Sequence, residues 1–305
     1  MLDALSLDQL RSFVVTVQEG SFSAAARKLG RAQSAVSEQI ANLEGQLGVT
    51  LFNRSGRYPK LTRAGEVLLR DAQGVIASVG YLKTRARGMA EGIEPELAVT
   101  FDVLFPLDVI TDAARGFRER FPDTPLRIYV EALGSAYQPV LDGRASLGVV
   151  GSLPVMPPTL TGERIASVAM VMVAASSHPL AKVSGTVPRT EASRHVQLVL
   201  TDRSSLSTGR EFGVFSPLTW RLADLFAKHA FLLDGLGWGG MPWHAVSTDI
   251  ADGRLVILDL EDVGPLGLSL PMSAVYPTGA PPGPAGRWLV ERLQQCAAER
   301  AEAKI

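Results

Sequence analysis

Along the first ninety residues the apolar positions recur at helical intervals. Leu7, Leu10, Phe13, Val14 and Val17 make one buried stripe and predict a helix over residues 7–19. The alanine-rich run 24–29 has high helix propensity, with Ser23 placed to cap it and Gly30 to end it. Val36, Ile40, Leu43 and Leu47 then follow at steps of four, three and four, while Gln33, Ser34, Ser37 and Glu38 lie on the other face. Two short helices across a tight turn form the helix-turn-helix pattern, though an ordinary core hairpin has the same periodicity. Residues 53–61 are polar, basic and rich in turn formers, which predicts a small loop or a two-stranded wing carrying Arg54, Arg57 and Lys60. Thr62 stands where it caps a further helix. In that helix Leu68, Ala72, Val75, Val79, Leu82, Ala86 and Met89 keep a heptad register, the signature of a coiled-coil seam or of a plain amphipathic face.

Gly92 and Pro95 break this helix. Beyond them apolar and amphipathic runs alternate: 97–101 strand-like, 107–121 helical, 126–132 alternating, 134–141 helical, 147–151 and 168–175 strand-like. A second set follows with a strand at 197–200, a helix at 217–228, and strands at 230–233 and 255–260. A strand at 268–276 and a helix from 284 to about 301 close the chain. The order predicts an α/β domain with a largely parallel sheet. As a whole the chain reads as α+β and multidomain.

Composition narrows the class. With 305 residues, 46% hydrophobic and 20% charged, the chain reads as a soluble globular protein of two or three domains. No apolar run is long enough for a bilayer, and the first residues lack a signal-peptide pattern, so the expected location is cytoplasmic, with no membrane partner. The single Cys296 excludes an internal disulfide. The net charge of -1 hides an asymmetry: residues 1–90 hold twelve Arg or Lys against seven Asp or Glu, the remainder eighteen against twenty-four. A basic head on an acidic body suits a head that meets a polyanion.

Catalytic signals are missing. His178, His195, His229 and His244 show no metal-ligand spacing, and no nucleophile elbow or phosphate loop is present. Gly235, Gly237 and Gly240 imitate a dinucleotide fingerprint, but Pro242 follows at once and no acidic residue stands at a strand end about twenty positions on. The segment is better read as a glycine-rich turn approaching a ligand or neighbouring backbone. No enzyme, metal or cofactor is expected.

Residues 7–69 resemble the amino-terminal domain of the LysR-type transcriptional regulators. The resemblance rests on Leu10, Phe13, Gly20-Ser21-Phe22-Ser23, Ala25-Ala26, Leu29, Gln33 to Ser37, Gln39-Ile40, Leu43-Glu44, Leu47-Gly48, Leu51-Phe52, Arg54, Leu61-Thr62 and Ala64-Gly65. Arg31-Ala32 departs from the small polar pair usual in that family, and Glu38 puts a carboxylate where relatives carry arginine. Looser landmarks continue: Phe121-Pro122, His178-Pro179-Leu180, and the segment from Gly235 to Pro242.

The resemblance implies a winged helix-turn-helix over 1–62, a dimerisation helix over 63–92, and an effector-binding region over 93–305. That region would comprise lobe I (95–164 and 268–305) and lobe II (165–267), each α/β and similar to periplasmic binding proteins. The implied partners are a double-stranded operator, an unidentified small-molecule effector, a second copy in a homodimer or homotetramer, and RNA polymerase if the protein activates. The DNA-contacting candidates are Arg31, Gln33, Ser34, Ser37, Glu38, Arg54, Arg57, Lys60 and Thr62. Leu68, Val75, Val79, Leu82 and Met89 are the pairing candidates.

Ligands of open α/β lobes sit outside the carboxyl ends of the strands. That rule nominates Phe101, Asp102, Ser135, Gly151, Thr201, Asp202 and Trp238 as effector contacts, with Trp243 a further aromatic wall. Asp102 replaces the small hydroxyl residue common in the family. It either faces the effector, favouring an amino- or hydroxyl-bearing one, or caps the helix that follows. The competing class, a solute-binding or enzymatic α/β protein with an accessory head, needs a signal peptide or a catalytic constellation, and neither is found.

Overall fold

The computed structural model describes residues 5–55, 58–151, 156–202, 204, 206, 213–265 and 267–302. The chain divides into two compact units, Met1–Arg87 and Gly88–Ile305.

In the first unit, α1 (Leu7–Glu19), α2 (Phe22–Leu29) and α3 (Gln33–Leu47) precede β1 (Phe52–Asn53), β2 (Lys60–Leu61) and the start of α4 (Arg63–Ala90). Ser6 and Gln9 close a reciprocal capping box on α1. The cap of α2 is Ser21, which accepts from the Ala24 amide, and not Ser23. The helix therefore starts at Phe22, and Ser23 accepts from the Arg27 side chain inside it. Gly30 ends it in the left-handed conformation, as expected. Val36, Ile40 and Leu43 are fully buried, whereas Leu47 at the last turn is exposed. Phe13 and Phe22 meet Phe52 edge-on at 5.6 and 5.5 Å, so the wing is pinned to the helices by aromatic packing. β1 and β2 pair antiparallel.

The second unit is built on one continuous ladder, nine strands among the described residues. β3 (Leu97–Asp102), α5 (Leu107–Arg120), β4 (Leu126–Glu131), a 3-10 turn (Leu133–Ala136), α6 (Gln138–Leu141) and β5 (Leu147–Val150) come first. They are followed by β6 (Leu160–Ala175), α7 (Arg189–Ala192), β7 (Gln197–Leu200), β8 (Thr219–Leu222) and α8 (Leu225–Leu233). The chain finishes with β9 (Trp238–Pro242), α9 (Trp243–Ala251), β10 (Leu255–Ile257), β11 (Leu268–Pro277) and α10 (Pro284–Glu302). The strand order is β4-β3-β5-β11-β6-β9-β7-β8, with β10 on β6.

β3 is parallel to β4 and β5, and β7 is parallel to β8 and β9. The two long strands β6 and β11 run antiparallel through the middle. β6 pairs β11 from Leu160 to Met170 and β9 from Met170 to Ala174, so it belongs to both lobes. No helix among the described residues is long and apolar enough to cross a membrane.

Two sequence readings fail here. The helix expected over 217–228 forms only from Leu225 onward: Thr219–Leu222 is an edge strand on β7. Asp224 then caps α8, accepting from the Ala227 amide at 2.7 Å, and α8 absorbs the expected strand at 230–233.

Candidate functional site

The first candidate site is the polar side of α3. Because Val36, Ile40 and Leu43 fix the buried side, Gln33, Ser34 and Glu38 are exposed, and Ser37 is half-buried. No side chain caps the amino end of α3, where Ala32 stands at the cap position. Such an end presents free amides beside short polar side chains, an arrangement suited to phosphates and base edges.

The cations around it differ in their freedom. Arg31 pairs with Asp8 at 2.6 Å. Arg54 bonds Glu44 at 3.0 Å and lies 5.2 Å over the Phe22 ring, while Glu44 also accepts from the Leu51 and Phe52 amides. Lys60 is exposed on the wing. Thr62 is half-buried and occupied: its hydroxyl donates to the Thr50 carbonyl at 2.6 Å and accepts from the Gly65 amide at 3.0 Å, capping α4. Arg57 lies outside the described residues.

On α4 the seam changes character along its length. Leu68 and Ala72 pack into the head's own core, so Leu68 is already in use inside the chain. Val75, Leu82 and Met89 are exposed, Leu82 at 65%, and Val79 is half-buried.

Between the lobes of the second unit lies a cavity of about 130 Å³. Lobe I contributes Leu104 and Leu133, the central strands Met170, Met172, Leu268 and Leu270, and lobe II residues of β7 together with Gly213, Lys228 and Gly240. Leu133 has φ of 50°, the only left-handed non-glycine among the described residues. Such strain persists only where surrounding structure holds it, and it concentrates at ligand sites.

The lobes touch at the rim of the cavity. Asp202 Oδ2 accepts from the Ser135 amide at 3.0 Å and from the Ser204 hydroxyl at 2.7 Å. Gly134 is required there, because a Cβ would run into Ser204 and Asp202.

None of the seven nominated effector residues lines this cavity. Ser135 and Asp202 form the rim contact, and Thr201 continues β7 beside it, its amide bonded to Leu222. Phe101 and Trp238 are instead core residues. Phe101 stacks on Phe105 and is buried under α5 and α10. Trp238 is fully buried, and its indole N–H donates to the Ala192 carbonyl at 3.2 Å, away from the cleft. Alternation along β3 and β9 sent these rings inward. Gly151 packs against Pro271 and Met272 of β11.

Asp102 is fully buried. Its Oδ1 accepts from the Leu104 amide at 3.0 Å, closing a turn ahead of α5, whose own cap position is Pro106. Burial, with a smaller contribution from Asp102, pushes the neighbouring Tyr137 hydroxyl up to about 12. Trp243 lines a separate cavity of about 210 Å³ with Phe105, Val109 and His244.

The glycine-rich stretch turns at Gly235, with φ of 73°, and runs on into the strand β9. A Cβ at Gly237 or Gly239 would strike the Val196 or Leu198 carbonyl at the neighbouring strand β7, so close backbone approach explains these glycines.

Sequence reasoning missed Lys228. It is 4% exposed, and its ammonium donates to the Gly240 carbonyl at 2.7 Å. Burial lowers its pKa from 10.5 to about 8. The sequence signal was slight: Lys228 and His229 are the two polar residues of the run 225–233.

Comparison with known proteins agrees with this geometry. Residues 7–66 match the family model described as bacterial regulatory helix-turn-helix protein, lysR family, and residues 90–298 match that of the LysR substrate binding domain. The chain is 29% identical over 291 residues to the HTH-type transcriptional regulator AceR of Acinetobacter baumannii, covering 95% of this chain and 97% of that protein. It is 29% identical over 275 residues to the probable HTH-type transcriptional regulator YhaJ of Escherichia coli, covering 87% and 89%. Among solved structures, a Corynebacterium glutamicum OxyR mutant superposes with a TM-score of 0.60 at 22% identity, covering 98% of this chain and 96% of that one, a likeness of fold.

Proposed function

The chain belongs to the LysR family of transcriptional regulators, which are not enzymes, and from that premise we propose how it reads DNA and senses its effector. It is a DNA-binding, effector-responsive regulator; the operator, stoichiometry and ligand position below are the proposal. Residues 1–62 form the reading head and 63–92 the pairing helix. Residues 93–305 form the effector region, with lobe I at 95–164 and 268–305 and lobe II at 165–267.

Gln33, Ser34, Ser37 and Glu38 read base edges in a major groove, with Arg31, Arg54, Arg57 and Lys60 on phosphates. The observation that carries this reading is the phase of α3: three apolar residues fully buried on one side, exposed Gln33, Ser34 and Glu38 on the other. Two heads joined through α4 would bind an interrupted inverted repeat, since a two-fold protein reads a two-fold site. The exposed Val75, Leu82 and Met89 support that pairing.

A second pairing, through the effector regions, is supported by apolar edge strands: Ile128 and Val130 on β4 and Trp220 on β8 are exposed. It makes the assembly a homotetramer. The effector sits between the lobes, and its binding resets the spacing of the heads and, at an activated promoter, their presentation to RNA polymerase.

Selection from a random duplex pool, followed by footprinting, tests the operator. Two protected half-sites related by a dyad and separated by an unread spacer are expected. Enrichment of a single unrepeated half-site, or of direct repeats, would refute the two-fold arrangement.

A further inference from the structure

The cavity between the lobes is apolar almost throughout. Of its described lining residues only Gln197 and Lys228 carry polar side chains capable of strong hydrogen bonds. Gln197 is already satisfied: its oxygen accepts from the Phe215 and Ser216 amides at 2.7 and 3.0 Å, and its nitrogen donates to the Gly213 carbonyl at 2.6 Å. Lys228 is not. Its ammonium has three donors and, among the described residues, one hydrogen-bond partner, the neutral Gly240 carbonyl. Among the described residues no carboxylate pairs with it, and burial alone accounts for the loss of basicity. A buried cation with a single neutral acceptor costs more than that acceptor returns, so something else must compensate.

We propose that Lys228 is the anchor of the effector, and that the effector is a small apolar monoanion, a carboxylate on an aromatic ring or a short branched chain. The inference rests on the reading that the effector occupies the inter-lobe cleft. The charge assignment follows from the lining. Among the described residues one cation faces the cavity and no acid lines it, so a ligand with an ammonium group gains nothing from them, and a dianion leaves one charge unpaired in an apolar wall.

Size follows from the volume, since a cavity of about 150 Å³ lined by apolar side chains takes a benzene ring. Met170 and Met172 allow some latitude in shape, because methionine repacks readily. The sign is opposite to the one Asp102 suggested from sequence; that carboxylate does not line the cavity, and its Oδ1 serves the Leu104 amide.

The test uses the full chain and four probes: benzoate, 3-methylbutanoate, the neutral isostere benzamide, and benzylammonium. Calorimetric titrations are run on wild type, on Lys228→Met, which keeps the unbranched stem and removes the ammonium, and on Leu270→Trp, which fills the cavity from the central strands. The expected result is binding of a carboxylate at least about tenfold tighter than benzamide, with no binding of benzylammonium. Lys228→Met should remove that preference and leave benzamide within about twofold, because only the charged hydrogen bond is lost.

Carboxylate affinity unchanged in Lys228→Met but lost in Leu270→Trp would overturn the anchor and leave the cleft reading standing. Affinity unchanged in both variants would place the ligand elsewhere, and the cleft reading itself would fall. Failure of both carboxylates to bind wild type at millimolar concentration, or a preference for benzamide or benzylammonium, overturns the proposed ligand class.

Discussion

At the scale of single residues, phase and burial make separate predictions. Gln33→Ala should cost roughly 1–3 kcal/mol at the operator while sparing random DNA, as read by fluorescence anisotropy on both duplexes. Equal losses on the two would remove Gln33 from the base readers. Arg54 has two duties, since its guanidinium already holds Glu44 and covers Phe22. Arg54→Ala should weaken all sequences alike and lower the salt dependence by about one unit; an unchanged salt slope would confine Arg54 to the head's own packing.

Lys228 gives a stability prediction with a definite sign. A shift from 10.5 to about 8 corresponds to about 3 kcal/mol of penalty on the charged form. Because the folded-state pKa is depressed, the unfolded chain holds more protons between these values, so wild-type stability rises with pH across that window. Lys228→Met should therefore melt higher than wild type at pH 7, and the gap should narrow as pH climbs through 8 towards 10. A constant gap would mean that the ammonium is solvated. The run 225–233 gave only a slight sign of the burial of Lys228, which depends on β9 passing beneath α8.

At the scale of elements, α4 carries two jobs that the heptad pattern merged into one. Its first turns, through Leu68, Ala72 and Ile76, complete the core of the head. Val75 faces outward beside them, and the later turns leave Leu82 and Met89 exposed. Leu82→Asp in the full chain should lower the sedimentation coefficient by breaking the helix pair, with the head's circular dichroism unchanged. An unaltered assembly would show that pairing does not run through this seam.

The failures at this scale share a cause. Residues 217–233 were read by apolar spacing, yet Thr219–Leu222 is a strand because β7 offers it a parallel partner. Short runs do not distinguish strand from helix until a partner is supplied. Ser21 rather than Ser23 caps α2 for a related reason: the adjacent serines have similar propensity, and the entry path of the chain chooses between them.

At the scale of the molecule, the rim between the lobes is a bridge of one carboxylate. Asp202 accepts from Ser135 across the cleft, and Gly134 lets the two loops close. Asp202→Ala should leave the Ser135 amide with the Ala132 carbonyl at 3.0 Å and without its charged acceptor, and raise its hydrogen-exchange rate by about tenfold or more, since hydrogen bonds to charged groups are worth about 1.5–3 kcal/mol. Exchange unchanged at Ser135 would mean that the lobes are held by their central strands alone.

Local pattern was enough to place the helices of the head, the wing, the long helix and most of the alternation of strands and helices outside 217–233, because periodicity and turn chemistry act within a few residues. The basic head, the Gly30 stop, the Thr62 cap and the buried stripe of α3 were all legible in that way. Long-range placement decided the rest. β6 serves both lobes because β11 and β9 lie beside it, Phe101 and Trp238 face inward because their strands are covered on that side, and Asp102 is spent on a turn. Part of the cavity lining, Leu104, Leu133, Leu200 and Gly240, stands one or two positions from nominated residues, and in a strand a single step turns a side chain to the opposite face; Met170, Met172, Leu268 and Leu270 come from central strands where no residue was nominated. The one cation among its described lining residues comes from a helix whose sequence looks like core, and only the fold puts that ammonium against the cleft.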